Sequence, residues 1–370
     1  MKINNPFIVR GYSGQKYFCD RLSERDKIVN LLENDGDVTL IAPRRYGKTG
    51  LIQNVFENLP KDTVHVYLDI YATNSLADFS KALASAVVGA LDTKVERAIK
   101  QVTSFFKSCR PTIIPQSDGM PKFSFDIVAG NAEASLGEIF AYLKSRDKRV
   151  VIAIDEFQQI FEYPEKGTEA LLRSYVQFLP GVHFIFAGSR RHLMREMFMS
   201  AKHPFYQSTD IVNLDVIALE RYRDFASSFF REKGRIFDHE AFDRLYQRFD
   251  GITWYVQMVL RKLWADGDGL KSTAAVEAAV EDIVDSRRQE YYDLFRAQNE
   301  SSRRLLKALA MSGPVGEPLA GAFIAKHNLR ATSSVSSALN DLEARDLVYH
   351  TEAGYVVYDR FFNCWLKDIP

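Results

Sequence analysis

The sequence predicts an α/β fold in which a parallel sheet carries helices on both faces, followed by an all-α region and a C-terminal winged helix. Three observations carry that expectation. Four β-rich, near-continuous apolar runs alternate with amphipathic helical segments through the first part of the chain, and strands that are apolar on both faces belong to parallel sheets covered on both sides. Beyond IVNLDVIAL (211–219) the β signals stop and helical periodicity continues alone. Near the C-terminus three short helical patterns run into a hairpin pattern.

Taken in order, DVTLIAP (37–43) reads as a strand ended by proline, followed by a glycine-containing turn and by KTGLIQNVFENL, apolar at helical spacing. TVHVYLDIY (63–71) is a second strand and SLADFSKALASAVVGAL (75–91) an amphipathic helix. CRPTIIPQSDGMPKFSFDIV (109–128) breaks the helical pattern with three prolines and a Ser-Asp-Gly turn between two β-prone stretches, so it reads as an inserted hairpin. RVVIAIDEFQQI (149–160) is a buried strand ending in two carboxylates, and VHFIFAGSR (182–190) is the fourth strand. Helical segments follow in RYRDFASSFFREKG, DHEAFDRLYQRFDG, TWYVQMVLRKLWADG and STAAVEAAVEDIVDSRRQEYYDLFRAQ. In the tail, SSRRLLKALAMSG, GAFIAKHNL and SSVSSALNDLEARDLV give three short helices, and VYHTEAGYVVYD a hairpin around Glu352-Ala353-Gly354. Three helices capped by a hairpin make a winged helix.

A chain of 370 residues with 46% apolar and 12% aromatic content can bury more than one core. Lys plus Arg equals Asp plus Glu at 48 each, so no net field draws the molecule to nucleic acid or anionic lipid, and any such contact is local. Cys19, Cys109 and Cys364 are odd in number and far apart, which suits reduced thiols better than a disulfide framework or a metal cluster. The N-terminus has no apolar stretch of signal-peptide length, and no run approaches the ~18 residues of a membrane span. The expectation is a soluble cytoplasmic protein without a membrane role.

The stretch IAPRRYGKTG (41–50) ends as the pattern G-x-x-x-x-G-K-[ST] requires, with Gly47, Lys48 and Thr49, but places Ala42 at the first glycine. In such a loop backbone N–H groups wrap the phosphates, the lysine supplies a point charge, and the Thr hydroxyl is a Mg²⁺ ligand. The helix that follows aims its positive end at the same phosphates. Ala42 adds one methyl, which matters only if φ is positive there or a phosphate oxygen packs against Cα. The donors lie in 44–50, so binding should survive. Phosphoryl transfer with Mg²⁺ also needs an acid at the end of a neighbouring strand for the metal, and an adjacent acid to orient or deprotonate the attacking water. Asp155 and Glu156 in VVIAIDEFQ hold those places.

Together APRRYGKT, VVIAIDE and FIFAGSRRHLM resemble the AAA+ and STAND-like P-loop ATPases, most closely the archaeal-type ATPase family that carries RRxGKT. The similarity extends to YFCDRLSERDKIVNLL (17–32), to FDGITWYVQMVL (249–260), which is similar to the family's lid helix, to HPFYQSTDIVNL, and to VYDRFFNCWL. It implies a P-loop ATPase domain over 1–215 with the inserted hairpin at about 109–128, a helical lid over 216–298 and a winged helix over 299–370. Carried over by residue, it implies that Pro43, Arg44, Arg45, Tyr46, Gly47, Lys48, Thr49 and Gly50 form the phosphate loop, with Lys48 on the phosphates. It implies Thr49 and Asp155 on Mg²⁺, Glu156 polarising the lytic water, Ser189 sensing the γ-phosphate, and Asp20 and Arg21 covering the adenine. Where relatives read Gly-Gly-x-Pro in the lid, this chain reads Gly251-Ile252-Thr253-Trp254.

Arg190, Arg191 and Arg195 follow the fourth strand, where an arginine can reach a phosphate in the same or a neighbouring subunit or simply form a solvated helix face. His192 and His203 lack metal-ligand spacing with any cysteine and read as surface or packing residues. The candidate recognition helix of the winged helix has no Lys or Arg from Ala331 to Ala344 but has Asp341 and Glu343, whereas duplex DNA calls for cations there. Across 301–370 eight Lys and Arg face seven Asp and Glu, a net of +1. Ser333, Ser334, Ser336 and Ser337 keep contact with base edges or phosphates open. The first expectation is therefore an ATPase, slow or partner-stimulated, that binds ATP and ADP and switches a protein partner or its own assembly. The alternative is a nucleotide-gated DNA-binding protein.

Overall fold

A computed structural model describes residues 3–92, 105–114 and 122–369. The chain forms two compact units, one of residues 8–221 and one of residues 3–7 with 222–369.

The first unit is built on five parallel strands, β1 (Val38–Ile41), β2 (Val64–Asp69), β5 (Val150–Asp155), β6 (Val182–Gly188) and β7 (Asp210–Asn213), in the order β2-β5-β6-β1-β7. Period-two alternation sorts their side chains onto two faces. Val151 and Ala153 join Ile28 and Leu32 of α1 (Leu22–Glu33) and Leu51, Ile52 and Val55 of α2 (Lys48–Asn58) in one core. Val150, Ile152 and Ile154 join α3 (Leu76–Leu91), α4 (Ala132–Lys144), α5 (Thr168–Val176) and α6 (Arg191–Met199) in the other. The predicted parallel sheet, covered on both faces, is what forms.

One feature of the strand order differs from the expectation. The acid-bearing β5 is not beside β1, because β6 lies between them and pairs with both. Buried on both faces, β5 and β6 read alike in sequence, so apolar content could not rank them. The inserted hairpin is β3 (Arg110–Ile114) paired antiparallel with β4 (Lys122–Asp126), its tip outside the described residues. Phe123 and Phe125 of β4 are buried in the second core with Phe106.

The second unit takes up the chain within α7 (Leu219–Glu232) and continues through α8 (His239–Arg248), α9 (Thr253–Asp266), α10 (Thr273–Asp285) and α11 (Arg288–Arg296). Asp238 and Ser272 cap α8 and α10 by accepting from the backbone N–H three residues on. The Phe7 ring packs against Phe229, Phe230 and Trp264 at 5.5–6.0 Å, which ties residues 3–7 here. Within this helical region no β pattern is visible in the sequence, yet β8 (Ile236–Phe237) pairs with β9 (Gly269–Leu270). Two residues are too few for a period. Gly269 makes the pairing possible: it has φ +89°, and a Cβ there would lie 2.4 Å from the Ile236 carbonyl oxygen.

The winged helix comprises α12 (Glu300–Ser312), α13 (Gly321–Lys326), α14 (Thr332–Ala344) and an antiparallel hairpin of β10 (Val348–Thr351) and β11 (Gly354–Val357). Val335, Leu339 and Leu342 of α14 are buried, as their spacing predicts. A last helix, α15 (Arg360–Asp368), is capped by Asp359 and buries Phe361, Phe362, Trp365 and Leu366. Cys19, Cys109 and Cys364 are all free thiols. Among the described residues, no helix is long and apolar enough to cross a membrane.

Candidate functional site

Parallel strands bring their C-terminal ends to one edge of the sheet, which is where open α/β sheets place their ligand crevices. Three strands deliver the site: β1 leads into the loop 42–47, β5 ends at Asp155, and β6 ends at Gly188 with Ser189 next. Because β6 lies between the other two, Ser189 is set between the phosphate loop and the acid pair.

Gly47 has φ +90° and caps α2, whose first residues are Lys48 and Thr49. A side chain at that φ is strained, so the glycine of the pattern is conformationally required. Ala42, in contrast, is buried in the sheet core, donates its N–H to the Gly188 carbonyl at 3.2 Å, and is not among the positive-φ residues. Its methyl group replaces a glycine without strain. Arg45 does adopt positive φ, 73°. The Arg44 guanidinium lies 5.3 Å over the ring of Tyr71, and Tyr46 packs against the α1–α2 core. Pro43 is half-buried and Gly50 likewise.

Lys48 is buried, and its Nζ contacts Asp155 Oδ1 at 2.5 Å and Glu156 Oε1 at 3.1 Å. Thr49 Oγ1 donates to Asp155 Oδ2 at 3.1 Å. Glu156 Oε2 accepts from Ser189 Oγ and Gln158 Nε2, each at 2.6 Å. The structure thus brings Lys48, Thr49, Asp155, Glu156 and Ser189 into one hydrogen-bonded cluster. Burial raises the pKa of the Glu156 carboxyl, but the Lys48 charge and the bonds from Ser189, Gln158 and Lys48 outweigh it and hold the group below the usual carboxylate range. It is ionised at neutral pH. Its backbone is left-handed, φ 57°, a conformation costing a non-glycine residue about 1–3 kcal/mol that persists where surroundings over-determine it. Here the anchor is Phe157, buried against Phe186, Phe198 and Phe205 at 4.6–6.0 Å.

Two members escape a sequence reading. Tyr67 of β2 donates its hydroxyl to Asp155 Oδ2 at 2.9 Å, and burial together with the Asp155 charge pushes its phenol well above the usual range. Gln158 holds Glu156. Polarity does not single out Tyr67 in a strand that also carries His65 and Asp69, and only the turn geometry reveals Gln158.

Other expected residues lie apart from this cluster. Asp20 and Arg21 both adopt positive φ, 53° and 65°. The Arg21 guanidinium is buried and donates to Glu24 at 2.9 Å, to the Tyr46 carbonyl at 3.5 Å and, in a very short contact, to the Asp215 carbonyl. Its donors are directed at protein. Arg190 pairs with Glu162 at 3.0 Å and Arg191 with Asp215 at 3.6 Å, while Arg195 is exposed on α6. His203 is held between Glu169 at 2.8 Å and Glu196 at 3.5 Å.

A parallel sheet with a glycine-capped phosphate loop, a buried lysine and an acid pair at the sheet edge defines a P-loop ATPase. The family profile described as "ATPase domain predominantly from Archaea" matches residues 18–259, and the chain belongs to that family. A second profile, "Probable winged helix domain", matches residues 289–368. An uncharacterized ATP-binding protein of Pyrococcus abyssi is 28% identical over 147 residues, a match covering 39% of this chain and 44% of that protein, under half of the relative's length. The solved Walker-type ATPase of Pyrococcus abyssi has a TM-score of 0.64 at 18% identity, covering 98% of this chain and 99% of that one. The ORC1 protein of Aeropyrum pernix, solved in complex with DNA, has a TM-score of 0.54 at 12% identity over 94% and 92% of the two chains. These two structural likenesses concern the fold.

Proposed function

We propose that the protein binds and hydrolyses Mg-ATP at the C-terminal ends of β1, β5 and β6, and that turnover, slow or partner-stimulated, switches a protein partner or neighbouring copies of the chain. The observation that supports this best is the convergence of Lys48, Thr49, Asp155, Glu156 and Ser189 within hydrogen-bond distance at the N-terminus of α2. Backbone N–H groups of 44–50 and Lys48 bind the phosphates. Thr49 and Asp155 are hard oxygen donors that fit Mg²⁺. Mg²⁺ takes few protein carboxylates and completes its shell with water and phosphate. Mg²⁺ bound there supplies charge neutralisation for the transferring phosphoryl group. Glu156, kept ionised and aimed by Ser189 and Gln158, orients the attacking water, and Ser189 reads the γ-phosphate from between them. Asp20 and Arg21 form the wall beside the adenine, Arg21 as a fixed part of it.

Protein is favoured over DNA as the target because α14 carries no Lys or Arg, and Asp341 on it is paired with Arg345 at 2.9 Å. Its partly exposed serine face suits a protein surface. The enzymatic reading is tested with Glu156→Gln, which should keep Mg-ATP binding but slow turnover about a hundredfold or more, the scale lost with one positioned transition-state group. Hydrolysis at the parental rate sinks the assignment.

A further inference from the structure

Asp155 is held by four donors. Its Oδ1 accepts from Lys48 Nζ at 2.5 Å and from the Glu156 backbone N–H at 2.9 Å, and its Oδ2 from Thr49 Oγ1 at 3.1 Å and Tyr67 OH at 2.9 Å. On the Mg-ATP reading, Lys48 turns to the phosphates and the Thr49 hydroxyl to the metal. The Glu156 amide and the Tyr67 phenol then remain to fix the carboxylate.

The parallel register sets Tyr67 opposite Ala153 and Asp69 opposite Asp155, so the phenol reaches two residues along the neighbouring strand. At about 3.3 Å per residue that is roughly 7 Å, the reach of a tyrosine hydroxyl but not of serine or threonine. Phenylalanine would fill the same space and donate nothing. The ring packs against the core that contains Val151 and Ala153, which leaves the hydroxyl little freedom to point elsewhere.

We propose that Tyr67 is a positioning residue for the divalent cation: it fixes the Asp155 carboxylate plane and occupies a lone pair of Oδ2, and so sets how tightly the nucleotide-bound metal is held. The inference rests on the proposed Mg-ATP site. Hydrogen-bond partners of metal-binding side chains typically account for 10–100-fold in metal affinity, and the phenol is such a partner.

The test uses the full chain with a fluorescent N-methylanthraniloyl ADP, titrated with Mg²⁺ and, in parallel, held in EDTA, with bound Mn²⁺ counted by electron paramagnetic resonance. Tyr67→Phe should raise the metal concentration for half-maximal response about tenfold or more, for both ions, while nucleotide affinity in EDTA stays within about twofold. Tyr12→Phe, whose phenol pairs with Glu57 at 2.6 Å, is the matched control and should shift neither. Equal loss of nucleotide affinity with and without metal would mark a packing role and overturn the proposal. If Asp155→Asn shifts the metal dependence and Tyr67→Phe does not, the role of Tyr67 is wrong while the metal site stands. If Asp155→Asn shifts nothing, the metal assignment fails and the inference with it.

Discussion

Lys48→Ala removes the cation that two neighbouring carboxylates share, and the structure gives the consequence in two parts. Nζ lies 2.5 Å from Asp155 and 3.1 Å from Glu156, with Lys48 and Asp155 both buried. Taking one partner from a buried ion pair leaves uncompensated charge and typically costs about 3–5 kcal/mol. The variant should therefore unfold more readily, and Mg²⁺ should recover more stability in it than in the parent, because the ion supplies the missing positive charge. Nucleotide binding loses a charged donor as well, about 1.5–3 kcal/mol, which at about 1.4 kcal/mol per decade is roughly a 10- to 150-fold weaker dissociation constant. Titration calorimetry with ATP and Mg²⁺, together with thermal melts with and without Mg²⁺, reads both parts. Unchanged ATP affinity would show that 42–50 is not the phosphate site, and an unchanged melt would show that Lys48 is not what balances the acid pair.

At the opposite end of the sheet, burial raises the Asp37 carboxyl to about 6 against the lowering effects of the Phe184 N–H and the Arg173 charge. The folded state then binds more protons than the unfolded between about pH 4 and 6, so stability falls as pH rises through that window. Asp37→Asn, whose amide oxygen can keep the 2.7 Å bond from the Phe184 N–H, should stabilise the first unit by about 1–3 kcal/mol at pH 7.5 and by nothing at pH 4. Calorimetric scans at the two pH values check this, and an equal gain at both would refute it. For the winged helix, fluorescence anisotropy on mixed DNA duplexes should show only sequence-independent affinity, no tighter than about 10⁻⁴–10⁻⁶ M at physiological salt. Sub-micromolar, sequence-selective binding that vanishes on deleting 300–370 would instead promote the DNA reading.

What the sequence could reveal follows from the range of the interactions involved. Lys48, Thr49, Asp155 and Glu156 were legible because their meaning is local: an apolar strand stops, and the turn or helix start that follows it carries the polar residues. The serine face and buried stripe of α14 were legible for the same reason, through helical spacing. Tyr67 was not, since its partner lies on a strand 88 positions away and only the β2–β5 register brings them together. The insertion of β6 between β1 and β5 is likewise a matter of pairing, which apolar content leaves undetermined. Arg21 shows the limit from another side. Resemblance places it by the adenine, whereas its burial and its bonds to two carbonyls emerge only when 21, 46 and 215 meet.

That arginine has a mechanical meaning. One nitrogen of its guanidinium, Nη2, meets both a carbonyl of the phosphate loop, at Tyr46, and the carbonyl of Asp215, while Nη1 goes to the Glu24 carboxylate of α1. The side chain is buried, so three separate stretches of the first unit, at 24, 46 and 215, are gathered on one fixed group. The guanidinium acts as a pin: its planar fork sets the carboxylate of Glu24 on one tip at a fixed angle to the two carbonyls on the other, an arrangement that the single ammonium of a lysine would not fix.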